Sequence, residues 1–287
     1  MAAKVMDGNA AAAVVKAELA ERIAVLAGRG VVPGLGTILV GDDGPSAKYV
    51  SMKHQDAADL GIAGREIVLP ADASQDDVLV AIEVMNNDPE VHAFIVQYPF
   101  PSGLDYEGAI LTMDPAKDAD GLHPVNLGWL VMGRSAPLAC TPAGILRLLE
   151  HHDIEVAGRH VVVVGRGLTI GRPLANLLTL KRPEANAAVT VVHTGVKDLG
   201  AYTRTADVVV AAAGSPALLT ADMVRPGAAV VAAGVSFRDG KVVSDVADDV
   251  ADVAEWISPR IGGVGPMTRA MLMANTVAAA ERAVEVP

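Results

Sequence analysis

The chain has 287 residues, of which 51% are apolar and only 3% aromatic. That is enough material for a large aliphatic core in one large domain or two ordinary ones. Its 34 acidic residues outnumber the 23 basic ones, for a formal charge of −11. This argues against nucleic acid as a main partner, because phosphate binding wants a basic face. Cys140 is the only cysteine, so an internal disulfide and a cysteine-rich zinc site are both ruled out and a reducing compartment is expected.

The N-terminus carries no secretory pattern, since Lys4 runs into a helix containing Lys16, Glu18, Glu21 and Arg22. No stretch of ~20 apolar residues predicts a membrane span. The expectation is a soluble cytoplasmic α/β protein.

The elements alternate along the chain. Residues 8–28 read as an amphipathic helix that stops near Gly28 and Gly30, followed by a buried strand at 35–40. A second helix over 46–60 is closed by Gly61. A short strand at 67–69 follows, then a helix at 76–86 with Ser74 or Asp76 near its cap. A strand at 93–97 is ended by Pro99 and Pro101. Residues 99–142 read as loop-rich. The pattern restarts with four valines at 161–164 running into Gly165, and a helix continues over 173–180. Strands follow at 189–193, 208–213 and 228–233, and an amphipathic helix at 267–282 comes last. Such alternation predicts parallel sheets packed between helices, in two α/β units whose boundary falls inside 125–145.

The segment VVVVGRGLTIGRPLANLL (161–178) is strand, glycine-rich turn and helix. Glycines let the backbone approach a phosphate while helix amides point at it. The spacing of Gly165, Gly167 and Gly171 is one residue longer than the usual dinucleotide fingerprint, and a plain tight turn is the alternative. The next strand ends at His193 and Thr194, about where an NAD site would place a carboxylate for the ribose diol. None stands there, and Arg166 and Arg172 lie in the glycine-rich segment instead. That pairing favours NADP over NAD; the alternative is two surface arginines.

In the first unit, Tyr49 and Lys53 are spaced i,i+4 and share a helix face. A ring and an amine so placed can hold a planar substrate and move a proton, although most such pairs are simply solvated. Gln97 falls at a strand's C-terminal end, where open α/β sheets build sites. Asp118 and Asp120 lie in a polar, turn-rich stretch, and IGGVGPMT (261–268) is a second glycine-rich loop before the last helix. Cys140, in a CTPAG turn, reads as a small packed residue. His151 and His152 read as surface or cap residues, and the acidic run 245–252 as a solvated face. The seven histidines show no metal-ligand spacing, so no metal is expected.

The segments GDDGPSAKYVSMK, IVQYPFP, PAKDADGLHPVNLG, CTPAGI, VVVVGRGLTIGRPLANLL, ADVVVAAAG and GGVGPMT occur in one order over nearly the whole chain. In them the chain resembles the bifunctional 5,10-methylenetetrahydrofolate dehydrogenase/5,10-methenyltetrahydrofolate cyclohydrolase family. The resemblance implies a catalytic, folate-binding domain of residues 1–138 and 267–287, completed by the C-terminal helix, and a Rossmann-like NAD(P)-binding domain over 139–266. It also implies a homodimer, a folate cleft between the domains, and one-carbon interconversion of tetrahydrofolate derivatives.

Lys53 resembles the catalytic lysine, Tyr49 the tyrosine packed on folate, Gln97 the residue that orients the lysine, and Asp120 the carboxylate that anchors the pterin. Pro99, Gly262, Gly263, Gly265 and Pro266 resemble the rest of the folate site. Gly165, Arg166, Gly167, Ile170, Gly171, Arg172, His193, Thr194 and Val235 fall where the family meets its dinucleotide. Four departures stand out: Gly167 where a serine is common, VAAGV at 231–235 where an aspartate is usual, Ile261 where a proline is usual, and QYPFP at 97–101 where QLPLP is usual. Two other readings stay open at this point, a dehydrogenase for a different small substrate and a cofactor-binding module without catalysis.

Overall fold

The computed structural model describes residues 3–238 and 241–285. In chain order the elements are β1 (Lys4–Val5), α1 (Gly8–Ala27), β2 (Gly34–Val40), α2 (Gly44–Asp59), β3 (Ala63–Leu69), α3 (Gln75–Asn87), β4 (Ala93–Val96), α4 (Tyr106–Ile110), α5 (Pro124–Val131) and α6 (Cys140–His151). The second half adds β5 (His160–Val164), α7 (Gly171–Leu178), β6 (Ala188–Val192), α8 (Gly200–Thr203), β7 (Val208–Ala211), β8 (Ala229–Ala232), β9 (Val235–Arg238), β10 (Lys241–Ser244), β11 (Trp256–Ile257) and α9 (Val264–Glu285). The alternation of strands and helices is as expected, with boundaries within a few residues. The region 99–142 is not simply loop, because α4, α5 and the start of α6 lie in it. Its prolines open short helices rather than prevent them: Pro124 is the first residue of α5, where a missing N–H costs nothing.

Two compact units emerge. The first comprises residues 3–13, 130–134 and 141–268; the second comprises 14–129, 135–140 and 269–285. Helices α1, α5, α6 and α9 carry the chain from one unit to the other.

The second unit is built on a three-stranded parallel sheet in the order β3-β2-β4. Every residue of β2 is buried, as a central parallel strand requires. Ile38, Val40, Ile82, Met85, Phe94 and Val96 form its core. Local chemistry sets the helix starts. Asp43 caps α2 by accepting from the Ser46 amide at 2.9 Å, and Ser74 and Asp77 form a reciprocal capping box at the start of α3. The edge strand β3 is largely exposed.

The first unit holds a six-stranded parallel sheet in the order β1-β11-β8-β7-β5-β6. The valines of β5 and β7 fill its centre, and β9 and β10 form a separate antiparallel ribbon. This is a doubly wound arrangement. Among the described residues no helix is long and apolar enough to cross a membrane, and no group of three or more His, Cys, Asp or Glu side chains could hold a metal ion.

Candidate active site

In the second unit, α2 presents Tyr49 and Lys53 on one face. The Lys53 Nζ lies 4.7 Å from the centroid of the Tyr49 ring. Lys53 is 4% exposed, and its Nζ donates to Gln97 Oε1 at 3.1 Å. No carboxylate of the described residues comes within ion-pair distance of it. A buried lysine held by a neutral amide rather than a counter-ion is uncommon. Gln97 is itself fixed: its amide N–H donates to the Ile38 carbonyl at 2.8 Å, just past the end of β4. Its Nε2 donates to the Tyr98 carbonyl at 2.6 Å, which leaves Oε1 for the lysine. Burial, and then the charge of Asp120, push the Tyr49 phenol well above its ordinary value. Tyr49 is therefore a protonated ring and not a base.

The two aspartates of the DADG run divide their work. Asp118 is buried and accepts from the amides of Gly121 (2.9 Å) and His123 (2.8 Å) and from Asn126 Nδ2 (2.9 Å). It shapes the loop. Burial raises its pKa, against the lowering effect of the Asn126 and His123 hydrogen bonds. Asp120 is half-buried, and no side-chain or amide donor among the described residues bonds its carboxylate. Its backbone is held: the Cys140 amide donates to the Asp120 carbonyl at 3.1 Å, and Asn275 Nδ2 donates to the Ala119 and Leu138 carbonyls. The carboxylate thus sits on a fixed loop with its acceptor capacity unused. Cys140 is the first residue of α6 and not part of a turn. Its buried thiol donates to the Ala119 carbonyl, and burial raises its pKa well above the usual thiol value. It packs, as expected. Pro99 is exposed and follows Tyr98 through a cis peptide. Tyr98 and Phe100 both rest edge-on against Tyr106.

One cluster was not expected from the sequence. Asp56, one turn beyond Lys53 on α2, takes Lys16 Nζ at 2.6 Å and Arg269 Nε at 2.5 Å. It pins α2 to α1 and α9. Asp56 continues the Tyr49–Lys53 stripe, and that spacing was the available signal, but its partners lie 40 and 213 residues away.

In the first unit, the turn after β5 is backbone packed on backbone. Gly165 has φ +135°, and a Cβ there would lie 2.1 Å from the Ala212 carbonyl oxygen. A Cβ on Gly171 would lie 2.2 Å from the Gly165 carbonyl oxygen. Gly167 differs: a Cβ there meets nothing within 4 Å, so the serine common in the family would fit. Helix α7 begins at Gly171, and its N-cap, Ile170, offers no side-chain hydrogen bond. The Arg172 amide donates to the Gly167 carbonyl at 3.1 Å, so the glycine turn itself takes one amide of the helix start. Arg166 and Arg172 are exposed and form no ion pair among the described residues. His193 Nδ1 accepts from the Gly195 amide at 3.1 Å, which puts the ring proton on Nε2. Thr194 is exposed, and Val235, at the start of β9, is 47% exposed. At Ala232, where the family usually has an aspartate, the amide donates to Ser258 Oγ at 2.7 Å.

The 261–268 segment is only partly a loop. Helix α9 starts at Val264, so Gly265 and Pro266 lie in its first turn, where a proline is tolerated because the N–H has no helical partner. Gly262 (φ +82°) and Gly263 form the turn before it, and the Gly262 carbonyl accepts from the Gly8 amide at 2.8 Å.

Comparison with known proteins gives a consistent result. Residues 6–120 match the family model "Tetrahydrofolate dehydrogenase/cyclohydrolase, catalytic domain", and residues 139–284 match the corresponding NAD(P)-binding domain. The bifunctional protein FolD of Syntrophotalea carbinolica is 56% identical over 281 residues, covering 98% of this chain and 97% of that protein. The crystal structure of the bifunctional FolD enzyme of Campylobacter jejuni superposes with a TM-score of 0.93 at 38% identity, covering 98% of this chain and 99% of that one. The Trypanosoma brucei FolD, solved with NADP cofactor and an inhibitor, superposes at 0.92 with 37% identity over the full length of both chains.

Proposed function

The chain belongs to the tetrahydrofolate dehydrogenase/cyclohydrolase family, and from that premise we propose which of its residues carry the two reactions. The enzyme oxidises 5,10-methylenetetrahydrofolate to the 5,10-methenyl compound and hydrolyses that to 10-formyltetrahydrofolate. The observation that carries the site assignment is the buried Lys53 amine, held by Gln97 over the Tyr49 ring with no ion-pair partner among the described residues. Residues 139–266 bind the dinucleotide; residues 1–138 and 267–287 bind the folate. The protein works as a homodimer, a reading supported by the open, exposed edge of β3.

The bound dinucleotide supplies the hydride acceptor for the first step. The chain's part there is to bind and orient. Gly165, Gly167 and Gly171 bring backbone to the phosphates, Ile170 offers the α7 start no side-chain cap, and His193, Thr194 and Val235 line the rest. Arg166 and Arg172 meet the 2′-phosphate of NADP.

In the second step water adds to the methenyl carbon and loses a proton. The carbon–N5 bond breaks as N5 gains one, and the second proton of that water leaves as the formyl carbonyl forms. Lys53, as the unprotonated amine, takes the first proton and returns it to N5, while Gln97 Oε1 keeps the amine aimed. The Tyr49 ring packs on the folate. The unpaired Asp120 carboxylate accepts from the amide and amino groups of the pterin, a charge-assisted contact. Pro99 lines the remainder of the folate site.

Two expected outcomes test these assignments. Asp120→Asn weakens a folate analogue by about tenfold or more, the worth of a charge-assisted contact, and leaves NADP affinity unchanged in fluorescence titration. Equal weakening of both ligands would contradict the role. The enzyme also prefers NADP to NAD by about ten- to a hundredfold in kcat/KM, and Arg166→Ala narrows that ratio. A wild type that prefers NAD would refute the cofactor assignment, and a ratio unchanged in both Arg166→Ala and Arg172→Ala would remove its mechanism.

A further inference from the structure

Asp245 belongs to the acidic run 245–252, which reads as a solvated face, yet its side chain is fully buried. The expectation holds for Asp248 and Asp249, which are exposed, and fails for Asp245 because that carboxylate has its own donors. Its Oδ2 accepts from the amides of Ala213 at 2.6 Å and Gly214 at 2.8 Å. Its amide donates to the Gly234 carbonyl at 3.1 Å, and its carbonyl accepts from the Leu219 amide at 2.9 Å. Gly234 faces the carboxylate closely, since a Cβ there would lie 1.9 Å from Oδ2. The other oxygen, Oδ1, is buried with no partner among the described residues. A buried carboxyl group with one oxygen unpartnered costs stability, which points to a purpose other than stability.

Its place in the sheet suggests that purpose. The chain leaves β5 for β6 on one side, then crosses to β7 on the other. The topological switch therefore lies between β5 and β7. Open parallel sheets bind ligands outside the carboxyl ends of the strands at such a point. The glycine turn 165–171 forms the β5 side of this crevice and residues 212–214 the β7 side. The two sides are in contact, as the position of the Ala212 carbonyl against Gly165 shows. The end of β8 joins them, because the Gly234 amide donates to the Ala211 carbonyl at 2.7 Å.

We propose that Asp245 is a positioning residue for the dinucleotide. By holding the amides of Ala213 and Gly214 it fixes the β7 wall of the crevice. It also occupies two consecutive amides that would otherwise attract an anion, which leaves the phosphates to the glycine turn. The proposal rests on the dinucleotide reading above.

The cyclohydrolase reaction consumes no dinucleotide, so it reports folding of each variant independently. Asp245→Ala raises the KM for NADP about ten- to a hundredfold while cyclohydrolase turnover of methenyltetrahydrofolate stays within twofold of wild type. Asp245→Asn, a weaker acceptor for the same two amides, raises it about three- to tenfold. Gly234→Ala, whose new methyl displaces the carboxylate, reproduces the alanine effect without touching Asp245. An unchanged KM in all three variants would overturn the proposal, as would a parallel loss of both activities. A wild type with no NADP-dependent turnover would overturn the dinucleotide reading and this proposal together, whereas a normal wild type beside unaffected variants would overturn this proposal alone.

Discussion

Replacing Lys53 with methionine is expected to lower cyclohydrolase turnover by about 10²–10⁴-fold, the usual worth of a placed general acid/base. Methionine keeps the length and apolar stem of the buried side chain, so the packing around α2 should survive and the loss should reflect the missing amine. The geometry offers no substitute. Tyr49 stays protonated because burial and Asp120 hold its phenol up, Gln97 does not titrate, and the Cys140 thiol is buried and raised. Initial rates of methenyltetrahydrofolate hydrolysis, with a melting curve for each protein, check this. A loss under tenfold with the fold intact would remove Lys53 from the reaction.

Placing a methyl group on Gly165 or Gly171 is expected to cut NADP affinity by about a hundredfold or more. Two costs add. At Gly165 the backbone sits at φ +135°, a region that non-glycine residues occupy at a cost of about 1–3 kcal/mol. The new methyl would also lie 2.1 Å from the Ala212 carbonyl oxygen, and at Gly171 2.2 Å from that of Gly165. Backbone atoms cannot swing aside as a flexible side chain can, so the turn itself must open. Calorimetric titration with NADP measures the effect, and cyclohydrolase activity reports whether the rest of the protein survives. Unchanged NADP binding in both variants would mean that this turn is not the phosphate cradle.

The fold was legible wherever one physical signal dominated. Four successive valines could only be a buried strand, and β2 and β4 were as plain. The 99–142 stretch was harder, because its prolines and polar residues signal turns locally while α4, α5 and α6 are stabilised by what they pack against. The start of α9 was missed for a related reason: Gly262, Gly263 and Gly265 suggest a loop, but Pro266 sits in the first turn and permits the helix to begin at Val264.

The candidate site divides in the same way. Tyr49 and Lys53 share a face by simple helical spacing, and Gln97 follows from the end of a strand. Composition and spacing offered no means to separate Asp118 from Asp120; only the family resemblance named Asp120. The structure does so through hydrogen bonds, with one carboxylate spent on its own loop and the other left free. Asp56 escaped notice and Asp245 was read as solvated because their partners are remote in sequence or are backbone amides, which leave no mark in residue identity. Conversely, the replacement of serine by Gly167 looked consequential and proves roomy, with nothing within 4 Å of an added Cβ.

The most direct test of the central claim follows 5,10-methylenetetrahydrofolate and NADP with wild-type enzyme and with Lys53→Met in one cuvette. The absorbance of NADPH and of the methenyl compound overlap but can be separated. Wild type should form NADPH while little methenyl compound accumulates, as 10-formyltetrahydrofolate appears in its place. Under the same conditions Lys53→Met should form 10-formyltetrahydrofolate about 10²–10⁴-fold more slowly. A wild type that forms no NADPH, or a Lys53→Met variant that hydrolyses the methenyl compound as fast as wild type, would contradict the account.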